Sequence, residues 1–429
     1  MRQFFTFVFS LLLLGQSALA SDQISEKSDE QIIQELFHNS YRFWQLIRHD
    51  NGVYKDGFKF NKPTTRGSIA NAGMGMVATC VGHKMGWEPE AEKLIEQTLA
   101  TLSGENPDFN PPRNAKGTFS HFYDINTGEM IGHDFSPIDT DIMLSGAMFA
   151  RNYFPKNKKI AKYVDELWNS VDQGAYIANP QTGHIFLSQN PDGSPKKNLT
   201  KPFNEYMIIA SLAMHQAKKK NDPAVKYWNK WYGTTKNIPV AYYGEDRIPV
   251  LAPAKVRYTS MFAFLFNNYL CHEFSNSADY QEAMKNAATA DWTWFQDQNI
   301  SGHQDYEWGN GAGAGKTRGY MVDRIFNEGA KKNENPDQIV SPHIVAGFSP
   351  VMERSRGDLI AMYRDPKKRA HYELEPGTTV LWRYSLKYPN WKAKAIQGVD
   401  YSTMLFGIAA MEENLGLEFF NKHNNYFGK

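Results

Sequence analysis

Two kinds of apolar pattern alternate along this chain. In the segments 31–49, 89–103, 157–171, 223–236, 278–297 and 351–363, apolar residues recur every three to four positions and charged residues fill the gaps. That spacing predicts amphipathic helices with one face in water. Between them, 68–84, 137–153, 203–217, 259–273, 343–350 and 399–414 are apolar nearly all round and rich in Gly, Ala, Ser and Met. A helix of that composition is buried on every side. Small residues such as Gly73, Gly75, Gly146, Ala147, Gly407 and Ala409 let such helices approach closely. Six buried helices ringed by six amphipathic ones predict an all-α fold, an (α/α)6 toroid or barrel in a single domain over 31–429; the plainer alternative is an irregular bundle. Pro350 cuts the fifth inner segment short. No self-similarity links the pairs, and β structure is expected only as short pieces near 184–188 and 378–384.

The connections into the inner helices, 50–67, 104–136, 172–202, 237–258, 298–342 and 364–398, are long and rich in Gly, Pro, Asp and aromatic residues, while the returns are short. All six long loops and all six inner N-termini therefore meet at one end of the ring, where a site belongs. The inner starts bring together Ser68 and Asn71, Asp139 and Asp141, Asn204 and Glu205, Tyr258, His343 and Asp400.

Composition narrows what such a site handles. Net charge is +1 and charged residues are well mixed, which argues against nucleic acid, an anionic membrane surface or a strongly charged polymer and fits a neutral substrate. Aromatics make up 14% of the chain, with ten Trp and twenty-two Tyr; sugar rings stack on such faces, although helix packing also uses them. Arg2, the apolar run from Phe4 to Leu14 and the small-x-small site Ala18-Leu19-Ala20 read as a signal peptide over 1–20, followed by a polar linker over 21–30. The run is shorter than the ~20 residues a membrane span needs. Export to the periplasm or medium is expected, as a monomer without membrane attachment. With only Cys80 and Cys271 present, on the first and fourth inner segments, the chain is no disulfide scaffold and both are expected as free thiols.

Glycosidic cleavage needs one protonated carboxyl to give the leaving oxygen a proton and one carboxylate to activate water or attack. Asp139 and Glu205 supply such a pair, both in apolar surroundings that raise a carboxyl pKa. Asp139 also fits helix capping, since acids are favoured in a first turn. Glu205 is harder to explain structurally, because Phe203, Tyr206, Met207, Ile208 and Ile209 surround it. Asp134, Asp141, Glu307 and Asp400 are further acids in this zone, any of which could be the second group. Candidate substrate contacts are Asp134, His121, Tyr206, Asn204, Glu307, Trp308, Arg318, His343, Trp44 and Asp56; histidines placed among aromatics, as His121 and His343 are, are more often structural than catalytic. The run with glycines at 309, 311, 313 and 315 suggests a phosphate loop, but the required earlier glycine is Asn310 and no strand precedes it. A mobile lid carrying Trp308, Lys316 and Arg318 is the better reading. No His and Cys set has zinc spacing and no Asp-rich loop has calcium spacing, so neither metal nor cofactor is expected.

At these residues the chain resembles the glycoamylase-like bacterial proteins classed as glycoside hydrolase family 144. The likeness runs over nearly all of the chain after the leader. It is carried by Asn51-Gly-Val-Tyr-Lys-Asp56, Gly117-Thr-Phe-Ser-His-Phe-Tyr-Asp-Ile-Asn-Thr-Gly-Glu129, Ser136-Pro-Ile-Asp-Thr140, Phe203-Asn-Glu-Tyr206, Val340-Ser-Pro-His343 and Gly398-Val-Asp400. The resemblance implies one catalytic (α/α)6 domain that hydrolyses β-1,2-glucan, typically endo-acting and inverting, with release of sophorose-type oligosaccharides. It implies Asp139 and Glu205 as the essential acids and leaves Asp139, Asp141, Asp134 and Asp400 open as the base. Phe135 and the polar stretch 322–340 depart from the family pattern. A polysaccharide lyase, using Tyr258, His121 or His343, and a glycan-binding protein without turnover are the competing readings.

Overall fold

The computed structural model describes residues 27–200, 203–253, 258–326 and 333–428; the leader and most of the expected linker lie outside the described residues. The first helix, α1 (Asp29–Ile47), begins inside the stretch read as linker, because Ser28 and Gln31 close a capping box. Ser28 Oγ accepts from the Gln31 amide at 3.2 Å, and Gln31 Oε1 accepts from the Ser28 amide at 2.9 Å.

The alternation of helices follows the expected order. The inner members are α2 (Ile69–Lys84), α4 (Pro137–Tyr153), α6 (Met207–Gln216), α8 (Phe262–Leu270), α11 (Pro342–Gly347) and α13 (Gly398–Ala409). The outer members are α1, α3 (Ala91–Leu102), α5 (Lys158–Ser170), α7 (Pro223–Trp231), α10 (Ala278–Asp297) and α12 (Arg354–Arg364), with a single helical turn, α9 (His272–Ser275), between α8 and α10. Burial separates the two sets as their patterns require. In α5 only Ile160, Tyr163, Val164 and Leu167 are buried, one stripe at i, i+3, i+4 and i+7. In α2 every residue from Ile69 to Gly82 is buried. Around the centre α2 packs on α4, α4 on α6, α6 on α8, α8 on α11, α11 on α13, and α13 returns to α2. The chain is thus mostly helical, with its inner helices in a closed circuit.

Glycines set the closest approaches in that circuit. A Cβ on Gly73 would lie 2.2 Å from the Ile142 carbonyl oxygen, one on Gly146 2.1 Å from that of Gly73, and one on Gly407 2.0 Å from that of Ala346. The neighbours are backbone and cannot swing away. Gly73→Ala is therefore expected to destabilise by about 3 kcal/mol, the upper end for an overpacked core, read as a lower denaturant midpoint at unchanged slope.

Two features depart from the sequence expectation. A further helix, α14 (Gly416–His423), follows α13 after a turn that Gly416 makes at φ 70°. It packs Phe419 and Phe420 against Phe149 of α4 and contacts α8, covering the inner helices at the end away from the long loops. Strands are also more widespread than the two expected pieces. All six long connections carry short antiparallel ladders, the largest pairing Arg66–Ser68, Ser120–Asp124 and Met130–Phe135. Gly57–Lys59 pairs with Ala395–Gln397, tying the first connection to the last. Cys80 and Cys271 are buried free thiols, as expected.

Candidate active site

At the loop end lies a cleft of about 420 Å³ whose lining includes Asp139, Glu205, Asp400, Asp134 and His121. A larger hollow of about 690 Å³ near Lys116 and Lys219 has no such convergence, and its Asp172 is paired with Lys116 at 2.9 Å. Among the described residues lining the acid cleft there is no Lys or Arg; the walls between the acids are Ile138, Ile142, Phe262, Phe266, Tyr206 and Val399.

Asp139 enters from the first turn of α4. Ser136, not Asp139, is the N-cap, with its Oγ accepting from the Asp139 amide at 3.4 Å. The same hydroxyl donates to Asp139 Oδ2, and His121 Nε2 stands 3.5 Å from that oxygen. His121 is held by stacking on Phe122 with centroids 3.7 Å apart, and the Arg66 guanidinium lies over the same ring. Arg66 also stands 3.6 Å from Asp56, which draws Asp56 into the neighbourhood; burial pushes the Asp56 carboxyl up against the pull of Arg66 and His121.

Glu205 sits in the turn just before α6, partly exposed to the cleft but enclosed by protein elsewhere. Burial drives its carboxyl up to about 7, against a backbone hydrogen bond and with a further push from Asp139. A carboxyl so placed keeps its proton to near-neutral pH and can deliver it. Its neighbour Tyr206 lines the cleft, and Asn204 braces the turn by accepting from the Tyr206 amide at 2.9 Å. Asp400, in the first turn of α13, is almost fully buried and is also pushed up to about 7, first by burial and against the field of Arg383. Asp134 is exposed on the rim and bonds Lys196 Nζ at 2.5 Å.

Several expected residues are not in the cleft. Asp141, two positions after Asp139, has no exposed surface and accepts from Gln173 Nε2 at 2.7 Å. Glu307 is sealed against Arg369 at 2.7 Å and Tyr384 Oη at 2.9 Å, a structural ion pair. Trp308 is buried with its indole donating to Asp358 at 2.7 Å. His343 is buried against Trp382, and Trp44 belongs to the packing of α1. Arg318 lies in an exposed turn and is not among the cleft-lining residues. The expected loose lid is instead a hairpin, Ala312–Ala314 paired with Tyr320–Val322, anchored where the Lys316 and Thr317 amides donate to Asp337 at 2.8 and 2.9 Å. Sequence reasoning missed Tyr320, which this hairpin sets on the cleft wall with its hydroxyl 3.1 Å from Asp400 Oδ1.

These acids carry a consequence for stability. Glu205, Asp400 and Asp291 are raised to about 7 and Asp323 to about 6, in each case by burial first. In the unfolded chain such groups ionise near pH 4. Between those limits the folded state holds more protons, so stability falls as pH rises through about 4 to 7. Glu273 acts oppositely: against burial, its bonds to His215 and Cys271 hold it at about 2, and that contribution is lost only in strong acid. Calorimetry is expected to show Tm highest near pH 5 and lower at pH 8.

A closed circuit of paired helices with an acid-lined cleft at its loop end, free of Lys and Arg among the described residues that line it, defines the class of helical protein. No known family's sequence profile matches the chain. Over 219 residues it is 26% identical to the exo β-1,2-glucooligosaccharide sophorohydrolase (non-reducing end) of Parabacteroides distasonis, a match spanning 48% of this chain and 29% of that protein. Its fold is similar to the endo-β-1,2-glucanase of Chitinophaga pinensis in complex with sophorotriose and glucose, with a TM-score of 0.74 and 16% identity over 92% of this chain and 95% of that one. It is similar too to a β-1,2-glucanase from Parabacteroides distasonis, with a TM-score of 0.69 and 17% identity over 92% of this chain and 58% of that one. The resemblance read from the motifs is borne out in kind: the proteins matched are a sophorohydrolase and β-1,2-glucanases.

Proposed function

We propose that the chain is an exported glycoside hydrolase built on an (α/α)6 toroid, cleaving β-1,2-glucan to short sophorose-type oligosaccharides with inversion. The observation that carries the reading is Glu205, a carboxyl held by burial at about 7 inside a cleft it shares with Asp139. Glu205 gives its proton to the leaving glycosidic oxygen. Asp139, oriented by Ser136 and His121, takes a proton from the attacking water. Asp400 is the third acid of the cleft and accepts from a sugar hydroxyl. The β-1,2 linkage is supported by the named activities of the similar proteins, and export by the leader-like first twenty residues.

The cleft lining argues against a lyase, which needs a cation to neutralise a uronate; none lines it among the described residues. Purified protein incubated with linear and cyclic β-1,2-glucan and with glucans of other linkages is expected to release reducing ends from β-1,2-glucan, with the inverted anomer first in proton NMR. Ultraviolet-absorbing unsaturated products would establish the lyase, and binding without reducing ends would establish a carbohydrate-binding protein.

A further inference from the structure

Asp400 and the hairpin 312–322 are joined by one bond whose placement the acid pair alone does not explain. The hairpin is clamped at its base. Arg383 pairs with Asp323 just after the second strand, both without exposed surface. Gly313, at φ 135°, brings the first strand so close that a Cβ there would stand 2.8 Å from Arg383 Cδ. Gln397, at the start of α13, accepts from the Ala314 amide at 3.2 Å. From this base the second strand carries Tyr320 over the cleft. Its ring is half-exposed on the wall beside Val322, while its hydroxyl is enclosed at 3.1 Å from Asp400 Oδ1. Asp400 Oδ2 is buried and has no hydrogen-bond partner among the described residues.

We propose that Tyr320 is a positioning residue for Asp400: its hydroxyl holds Oδ1, fixes the carboxyl behind the cleft wall and favours the ionised carboxylate, while its ring forms part of the wall against which a sugar lies. This rests on the glycosidase reading only for its catalytic consequence. The charged and titratable groups facing Asp400 are Arg383, Tyr320, Asp56 and Glu205. Burial and the Asp400 charge push the Tyr320 phenol well up, so it stays a donor throughout the working range. Arg383 commits Nη2 to Asp323 and acts on Asp400 through its field, whereas the phenol donates a hydrogen bond to Asp400 directly.

Tyr320→Phe keeps the ring and removes the donor. A hydrogen bond to a charged group is worth enough to move a carboxyl by about one pH unit, so the acid limb of kcat/KM on β-1,2-glucan is expected to shift up by about that much. The loss is about ten-fold at pH 5 and smaller at higher pH, with KM near wild type. Tyr320→Ala removes the ring as well and raises KM in addition. A second readout needs no substrate. Tyr320→Phe loses a bond to a carboxylate at high pH but only to a neutral carboxyl at low pH, so its Tm deficit against wild type grows from pH 5 to pH 9. An unmoved acid limb with a Tm deficit that is the same at every pH overturns the proposal. If wild-type protein cleaves no glucan, the glycosidase reading fails, and the Tm comparison still decides whether Tyr320 sets the charge of Asp400.

Discussion

Glu205→Gln is expected to lower kcat on linear β-1,2-glucan by about 10²–10⁴-fold, the usual worth of a positioned general acid. The substitution keeps the shape of the side chain and deletes the one proton that matters. Wild-type Glu205, raised to about 7, is largely protonated at pH 6 and progressively ionised above pH 7, so the basic limb of the wild-type rate is expected near that value. The variant has no such limb. Because a neutral amide also avoids placing charge in an enclosed site, Glu205→Gln is expected to melt higher than wild type at pH 8 and near it at pH 5. A sophorosyl fluoride, whose leaving group needs no proton, separates this role from general damage: the variant keeps far more of its rate on the fluoride than on the glucan. Wild-type turnover of glucan by the variant would remove Glu205 from the mechanism.

The helical frame was open to sequence reading because its two patterns differ in kind. A four-residue stripe such as that of α5 and an unbroken buried run such as that of α2 each carry their environment in the local sequence. The strands carry no such signal. Gly57–Lys59 is three residues long and its partner lies more than three hundred positions away, so its pairing is a property of ring closure. The helix α14 escaped notice because it lies beyond the segment read to 414: α13 ends at Ala409, a turn follows, and the eight residues from Gly416 to His423 are too short a run to show a helical period.

Within the site, what sequence could not resolve was direction. Asp139 and Asp141 are two residues apart, about 200° round a helix, and that angle alone puts one on the cleft and the other against Gln173. Glu307 and Trp308 stand in the right connection but lie below its surface, where Arg369 and Asp358 satisfy them. The glycines from 309 to 315 suggested freedom, yet Gly309 and Gly313 use positive φ to pack against Ser341 and Arg383. They fix the hairpin, and through it Tyr320, which no motif marked.

Asp139→Asn is expected to cost about 10²–10⁴ in kcat while leaving the fold nearly untouched. Ser136 caps α4 with its own hydroxyl and the asparagine side chain can still accept from it, so the change in stability is expected within about 0.5 kcal/mol, as for sites where no cap or buried pair is broken. That separation matters, because an acid in a first helical turn is otherwise as well explained by capping as by catalysis. If capping were its role, Asp139→Asn would lower Tm and spare the rate. The chemistry provides a second discriminator. A variant lacking the group that accepts the water's proton still has Glu205 to protonate the leaving oxygen, so an anion that needs no deprotonation, such as azide, can take the water's place. Azide is expected to restore turnover to Asp139→Asn, giving a glycosyl azide of inverted configuration, and to do little for Glu205→Gln on the glucan. Rescue of Asp400→Asn instead would move the proton-accepting role to Asp400, the acid that Tyr320 holds.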